Sequence, residues 1–173
     1  RRRRNFASQE RVVRLFKDLP GFVGTSNVQL AMDHNVKAIG TMSHQWIMGV
    51  SALDSLRYAN RFALQRWNQT YKGDLGVALP DTFGTNAFFE DFDKELARLF
   101  DGVRHDSQNP YTFTDKVVAH YNSLRIPTET KSIVYSDNLN VDSAIDISNY
   151  ARSKNIKSSC GIGTHLTNDF ENS

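Results

Sequence analysis

The histidine at position 44 stands where α/β proteins often place a reactive group. It lies in IGTMSHQWIMG (39–49), in which IGT is typical of the end of a buried strand and the residues after it are apolar at helical spacing. Turns from strand to helix gather the chemistry of parallel sheets. Because N–H groups at a helix start favour negative charge, a phosphoryl group carried on His44 would be stabilised there. The alternative is a loop histidine that bonds to the backbone.

The segment GVRHDS (102–107) offers a charged pair. Side chains alternate along a strand, so Val103 and His105 face one way while Arg104 and Asp106 face the other. If the valine side meets the helices, Arg104 presents a planar fork for a carboxylate or phosphate, with the Asp106 carboxylate beside it. The alternative is an internal ion pair that ties strand ends together.

Two further turns follow predicted strands. In GIGT (161–164), backbone N–H groups at Gly161 and Gly163 can approach an anion and the Thr164 hydroxyl adds a donor, unless this is a plain left-handed turn. Ser136 and Asp137 suit ribose hydroxyls or a magnesium-bound pyrophosphate, or else cap the following helix. Together with the histidine and the arginine–aspartate pair, these turns indicate a substrate that carries several phosphates.

The elements that must position these residues alternate between strand and helix. Apolar patterning predicts six strands, at 21–27, 36–44, 75–81, 102–107, 132–138 and 157–164. It predicts helices over 7–18, a short stretch through Leu30 and Met32, then 46–71, 88–100, 110–124 and 141–152. Continuous apolar strands indicate a parallel sheet covered on both faces, with the polar strand ends on one rim. A closed barrel needs about eight strands and roughly 250 residues, so we expect one segment, 1–173, that forms most of a barrel.

Composition excludes several classes of protein. The chain has 173 residues, of which 39% are hydrophobic and 23% charged, and no apolar run is long enough for a bilayer, so we expect no membrane partner. Cys160 is the only cysteine, and the five histidines lack H-E-x-x-H spacing, which disfavours disulfides and zinc and favours the cytoplasm. Without the opening RRRR, 17 Lys and Arg face 19 Asp and Glu, so we expect no nucleic-acid partner. We expect the chain to begin inside a longer protein.

Seven spaced segments resemble the nicotinate phosphoribosyltransferase family. In chain order they are RRR (1–3), GFVGTSNVQLA (21–31), GTMSHQW (40–46), DTFGT (81–85), GVRHDS (102–107), YSDNLNV (135–141) and GIGTHLTNDF (161–170). The resemblance implies the type II phosphoribosyltransferase fold, an irregular parallel α/β barrel that is incomplete here, without its N-terminal part and its C-terminal closing region. It implies that nicotinate, phosphoribosyl pyrophosphate and ATP give nicotinate mononucleotide, pyrophosphate, ADP and phosphate, with Mg²⁺, in a homodimer that serves NAD synthesis.

The resemblance implies roles for His44, Thr41, Arg104 and Thr164, and residue chemistry suggests roles for the other candidates. His44 matches the histidine that ATP phosphorylates transiently. Thr41 and Arg104 match positions that contact nicotinate. Phosphoribosyl pyrophosphate is expected at Ser136, Gly161, Gly163 and Thr164. Asp106 and Asp137 are expected to stabilise the positive charge that develops on the ribose as its C–O bond breaks.

Some residues depart from the family pattern. Gln45 stands where the family usually has glutamate, Gln108-Asn109 replaces the usual Gly-Asp, and Pro80 replaces a threonine. The loss of the glutamate leaves open which group orients the imidazole of His44. The changes at Gln45, Gln108 and Asn109 keep open the alternative of a non-catalytic barrel fragment that binds phosphate ligands or a partner chain. A separate alternative is another type II phosphoribosyltransferase, acting on nicotinamide or quinolinate. We expect the 173-residue chain alone to be inactive.

Overall fold

The computed structural model describes residues 4–168, where helices and strands alternate around one parallel sheet. The strands are β1 (Val77–Ala78), β2 (Gly102–His105), β3 (Ser132–Tyr135) and β4 (Lys157–Cys160). The helices are α1 (Phe6–Phe16), α2 (Val28–Asp33), α3 (His44–Leu53), α4 (Ala59–Tyr71), α5 (Thr85–Asp91), α6 (Lys94–Leu99), α7 (Pro110–Ser123), α8 (Val141–Ser153) and α9 (Thr164–Thr167), with a short 3-10 turn at Thr128–Thr130. The RRR motif and the last two residues of GIGTHLTNDF lie outside the described residues.

The sheet follows chain order, β1-β2-β3-β4, and every neighbouring pair is parallel. Val103 pairs with Ile133, and Ile133 pairs with Ser158. Helices α5 and α6 connect β1 to β2, α7 connects β2 to β3, and α8 connects β3 to β4. The carboxyl ends of all four strands therefore share one edge. The sheet does not close within the described residues, so the prediction of an incomplete parallel α/β barrel is confirmed.

The first two predicted strands, 21–27 and 36–44, are wrong. They meet through a single parallel bridge between Thr25 and Ala38, closed by hydrogen bonds from Thr25 N–H to the Lys37 carbonyl (3.1 Å) and from Ile39 N–H to the Thr25 carbonyl (3.0 Å). Parallel strands are stable when they are buried on both faces. Val23 is 56% exposed and Ala38 is also exposed, so these segments lack that cover.

The predicted helix over 46–71 is two helices, because α3 ends at Leu53 and α4 begins at Ala59. The residues between them have no apolar face to bury: Leu53 is 81% exposed and Leu56 is 68% exposed. The Asp54 carboxylate accepts a hydrogen bond from Arg66 Nη2 (2.9 Å), which ties the loop to α4. The helical stretches predicted around 88–100 are α5 and α6, and Asp93 caps the start of α6.

A buried layer of aromatic and aliphatic side chains fixes the sheet. Phe88, Phe92 and Phe100 are at most 2% exposed and pack with the strand residues Val103 and Ile133. Backbone spacing is tight where β2 begins, since a Cβ at Gly102 would overlap the carbonyl of Ser132 on β3. No helix among residues 4–168 has both the length and the apolar content that crossing a membrane requires.

Candidate active site

His44 is the first residue of α3, and Ser43 caps that helix by accepting a hydrogen bond from Trp46 N–H (3.3 Å). The imidazole Nε2 lies 2.9 Å from Asp81 Oδ1 and 3.8 Å from Asp106 Oδ2. The side chain is 35% exposed, so the imidazole is partly open to solvent. The predicted helix start is confirmed, whereas the alternative of a histidine that bonds to the backbone is wrong, because its partners are carboxylates.

Asp81, three residues after β1, contacts the imidazole of His44. Its Oδ1 contacts His44, and its Oδ2 accepts a hydrogen bond from the Ser107 hydroxyl (2.6 Å). Only 11% of the Asp81 side chain is exposed. Asp81 is the last residue of the predicted strand 75–81 and Ser107 the last of 102–107, but neither was among the predicted site residues. The departure at Gln45 does not affect this contact, since Gln45 is exposed and Asp81 provides the carboxylate.

Arg104 reaches the same rim from β2. Val103 is fully buried and His105 is 2% exposed, so the predicted alternation is confirmed and Arg104 points away from the core. Its guanidinium donates to Ser136 Oγ (2.7 Å), Thr41 Oγ1 (3.1 Å) and Asp106 Oδ1 (2.7 Å). Of the five N–H groups of a guanidinium, these bonds use three and leave two for a ligand.

Ser136 joins β3 to this network. Its Oγ accepts from Arg104 and lies 2.9 Å from both Asp106 Oδ1 and the His105 carbonyl. The alternative that it caps the next helix is wrong, because Asn140 caps α8 in a capping box with Ser143. The structure therefore brings the predicted residues Thr41, His44, Arg104, Asp106 and Ser136 into one set of contacts that also includes Asp81 and Ser107.

The other predicted residues lie on the same edge but outside this network. Asp137 is exposed. Gly161 directly follows β4, donates to the Tyr135 carbonyl (2.8 Å) and lies beside Ser136. Neither Gly161 nor Gly163 has a left-handed φ, so the plain left-handed turn is wrong. A Cβ at either glycine would meet no crowding within the chain, and Thr164 begins the four-residue α9 with an exposed side chain.

Negative charge surrounds the base of the site. Burial lowers the pKa of His105 below its ordinary value, against the hydrogen bond to the Gln108 carbonyl and the nearby carboxylates of Asp137, Asp81 and Asp106, which raise it. A buried His105 is therefore neutral at pH 7, and Arg104 is the fixed cation of the described network. No group of three or more His, Cys, Asp or Glu in the described part of the chain could hold a metal ion.

The two residues that depart from the family pattern at 108 and 109 form local contacts that fit the loop and the start of α7. Gln108 has a left-handed φ of 74°, a conformation in which glycine is favoured, and its side-chain amide donates to Thr85 Oγ1. Asn109 caps α7 by accepting from the N–H groups of Tyr111 (3.0 Å) and Thr112 (3.1 Å), and Pro110 follows at the first helical position. An aspartate at 109 would cap in the same way.

Comparison with known proteins bears on this site. The sequence model of the nicotinate phosphoribosyltransferase (NAPRTase) family matches residues 1–173. The chain is 51% identical over 171 residues to the nicotinate phosphoribosyltransferase of Methanosarcina mazei, covering 99% of this chain and 42% of that protein. It is 48% identical over 173 residues to that of Acinetobacter baylyi, with 98% and 42% covered.

Solved structures of nicotinate phosphoribosyltransferases are also similar to this chain. The crystal structure of nicotinate phosphoribosyltransferase from Porphyromonas gingivalis superposes with a TM-score of 0.93 at 40% identity, over 97% of this chain and 43% of that one. The structure from Vibrio cholerae gives a TM-score of 0.93 at 42% identity, over 98% and 40%. The chain thus spans about two fifths of the length of the proteins it matches.

Proposed function

This chain belongs to the nicotinate phosphoribosyltransferase family, and on that premise we propose that the whole protein makes nicotinate mononucleotide. The ring nitrogen of nicotinate forms a bond to C1′ of phosphoribosyl pyrophosphate, and the bond from C1′ to the pyrophosphate oxygen breaks. Hydrolysis of ATP to ADP and phosphate is coupled to this transfer. We expect the protein to act in the cytoplasm as a homodimer, as the family resemblance implies.

The observation that carries the proposal is the setting of Arg104. Two of its N–H groups remain for a ligand, beside the Thr41 hydroxyl, and 24% of the side chain is exposed. The carboxylate of nicotinate accepts two parallel hydrogen bonds from a guanidinium, an arrangement that is stronger than neutral hydrogen bonding. Nicotinate therefore fits the unused face of the fork while Asp106 and Ser136 hold the other side.

The same setting disfavours the two related substrates. The amide of nicotinamide is neutral and has one carbonyl acceptor, so it forms no bidentate ion pair with Arg104. Quinolinate carries a second carboxylate. The described network has no second fixed cation to pair with it, and three aspartates lie nearby. Nicotinate is the pyridine acid whose charge the described site matches.

His44 is the proposed phosphoryl acceptor. The Nε2–H of His44 donates a hydrogen bond to Asp81, which leaves the lone pair on Nδ1 free to attack. The bond between the γ-phosphorus of ATP and its bridging oxygen breaks as the P–N bond forms, and ADP leaves. Asp81 stabilises the positive charge on the ring, as a carboxylate placed in advance does in other active sites.

Asp106, Asp137 and the glycine turn complete the proposed transfer site. Asp106 and Asp137 lie at the edge where C1′ gains positive charge, and they stabilise that charge. Backbone at Gly161 and Gly163, with the Ser136 and Thr164 hydroxyls, receives the phosphates and ribose. Mg²⁺ usually binds through one or two carboxylates plus substrate phosphates, so the exposed Asp137 fits an ion that arrives with the pyrophosphate. When bound, Mg²⁺ neutralises phosphate charge.

The test is phosphohistidine formation in the full-length protein. Incubation with γ-³²P-ATP should give a label that is stable in base and labile in acid, as expected for a phosphoryl group on imidazole. His44→Ala should abolish the label and the coupling of ATP hydrolysis to product formation. His34→Ala is the matched control, because His34 ends α2 next to Glu10 and should leave labelling unchanged.

The outcomes separate the proposal from its alternatives. Label that survives in His44→Ala would contradict the role of His44. An intact protein that binds phosphoribosyl pyrophosphate but forms neither label nor nucleotide would support the non-catalytic alternative.

A further inference from the structure

His105 lies at the end of β2 with its side chain in the core, and the proposed reaction gives it no part. The side chain is 2% exposed, and its ring lies edge-on to Phe113 of α7, with centroids 5.1 Å apart. The ring centroid of Tyr135 on β3 lies 5.6 Å away. An apolar side chain would fill this position without the free-energy cost of burying two ring nitrogens. A histidine here therefore needs a specific partner.

That partner is the backbone of the loop that follows β2. His105 Nε2 lies 3.1 Å from the Gln108 carbonyl oxygen. A carbonyl only accepts, so Nε2 carries the proton and donates. Nδ1 is buried and has no hydrogen-bond partner in the described part of the chain. The bond to Gln108 is therefore what the imidazole supplies that an apolar side chain does not, and it closes the short loop 106–108.

The loop needs support because Gln108 has a left-handed backbone, with a φ of 74°. For a residue other than glycine this conformation is costly, and it persists only where the surroundings fix it. Two contacts do so: the Gln108 carbonyl accepts from His105, and the side-chain amide donates to Thr85 Oγ1 at the start of α5. Of these two contacts, the one from His105 acts on the backbone itself.

The same loop carries the hydroxyl that holds Asp81. Ser107 donates to Asp81 Oδ2 (2.6 Å), and Asp81 Oδ1 contacts His44 Nε2 (2.9 Å). A shift of the loop by about 1 Å would take the Ser107 contact beyond hydrogen-bond distance. Arg104, in contrast, lies within β2, where pairing with β3 fixes its backbone. Displacement of the loop should thus affect His44 more than the binding of nicotinate.

We propose that His105 is a positioning residue for the phosphoryl acceptor. Its Nε2–H fixes the loop 106–108, the loop keeps Ser107 on Asp81, and Asp81 in turn orients His44. The inference rests on the proposed function for its kinetic readout, whereas the contacts themselves do not depend on the reaction. The alternative is a buried histidine that only fills the core between β2 and α7.

The test pairs two substitutions at position 105 in the full-length protein. A leucine side chain fills the space without a donor, whereas the amide of glutamine can reach the place of Nε2. His105→Leu should slow His44 labelling at saturating ATP by about tenfold, in line with loss of a hydrogen bond to a charged group. His105→Gln should keep most of the rate, and the KM for nicotinate should change less than about twofold in both. The Tm of His105→Leu should stay close to that of wild type, because this variant buries no unpaired nitrogen.

A double variant tests whether His105 acts through Ser107. Ser107→Ala should also slow labelling, and adding His105→Leu to it should slow labelling no further, because the contact that His105 supports is already lost. Effects that multiply would overturn the proposal. His120→Leu is the matched control and should leave labelling unchanged, since His120 Nε2 also bonds to a carbonyl, that of Phe92 (2.7 Å), but lies near the other end of α7.

Nuclear magnetic resonance of protein labelled with ¹⁵N-histidine gives a readout without ATP. His105 should show a protonated Nε2 and an unprotonated Nδ1 near neutral pH. His105→Leu should shift the ring resonances of His44, and His120→Leu should not. These shifts in a protein that forms no label would support the positioning role and contradict the proposed function.

Two results would overturn the positioning role alone. One is label on His44 with an unchanged rate and unchanged His44 resonances in His105→Leu. The other is a Tm that falls equally in His105→Leu and His105→Gln while their labelling rates stay equal, which is the behaviour of a residue that only fills the core.

Discussion

Asp81→Asn is the substitution that most directly tests how the imidazole is held. Asparagine has the same shape, so its side-chain oxygen can still accept from His44 Nε2 while its amide group faces the Ser107 hydroxyl, which can turn to accept. The change removes the negative charge and leaves both contacts formed. The fold should therefore persist, and the effect should appear in the chemistry.

The magnitude follows from the geometry. The Asp81–His44 contact is 2.9 Å long and the carboxylate is 11% exposed, so water screens it little. A hydrogen bond to a charged group contributes about 1.5–3 kcal/mol, against about 0.5–1.5 kcal/mol for a neutral one. The loss of about 1–2 kcal/mol from the transition state slows phosphorylation by about five- to thirtyfold.

The assay is the rate of phosphohistidine formation at saturating ATP in the full-length protein. The KM for nicotinate should stay within about twofold, because Arg104 is untouched. Asp54→Asn is the matched control, since Asp54 also holds a cation, Arg66, but ends α3 away from the rim. Equal labelling rates in wild type and Asp81→Asn would refute the assignment of Asp81 as the group that orients His44.

Three further outcomes follow from packing and burial. Gly102→Ala places a Cβ against the Ser132 carbonyl and should lower the free energy of unfolding by about 3 kcal/mol, or the Tm by about 6–12 °C. Gly49→Ala, on the open face of α3, is the control and should not lower the Tm. An unchanged Tm in Gly102→Ala would contradict the close approach of β2 and β3. Burial lowers the pKa of His120 despite its hydrogen bond to the Phe92 carbonyl, so as the pH falls the unfolded chain binds a proton before the folded one does, and the free energy of unfolding is full above about pH 6.5 and decreases below it. His120→Gln should therefore reduce the difference in Tm between pH 7.5 and pH 5.5. An unchanged difference would contradict this. The 173-residue chain alone should be inactive and associate through its open sheet edges, as light scattering would detect, and an active monomer would contradict this.

Local rules predicted the second half of the fold well. Pro110 at the start of α7, the apolar residues of β2 and β3 and the alternation around Arg104 are all readable from spacing, because each segment is buried where its pattern says. The same rules failed at 21–27 and 36–44. There the apolar residues resemble strands, yet a strand also needs neighbours that cover it, and pattern alone does not report those neighbours.

The site was predictable in its residue types more than in its contacts. The alternation of side chains along a strand predicted that Arg104 and Asp106 face the same way, and the start of a helix predicted the position of His44. Both predictions depend only on neighbours in sequence. The contact of His44 with Asp81 joins residues 37 positions apart and depends on how the start of α3 meets the loop after β1. Asp81 lies at the end of a predicted strand, in the same kind of position as Asp106 and Asp137, and that shared position was the available signal.

The most direct test of the central claim is product formation by the full-length protein with labelled nicotinate, phosphoribosyl pyrophosphate, ATP and Mg²⁺. We predict labelled nicotinate mononucleotide with ATP turnover. We also predict a kcat/KM for nicotinate at least about a hundredfold above that for nicotinamide, because the neutral amide cannot form the bidentate ion pair with Arg104, a loss of about 3 kcal/mol. Absence of product, or a preference for nicotinamide or quinolinate, would contradict the account.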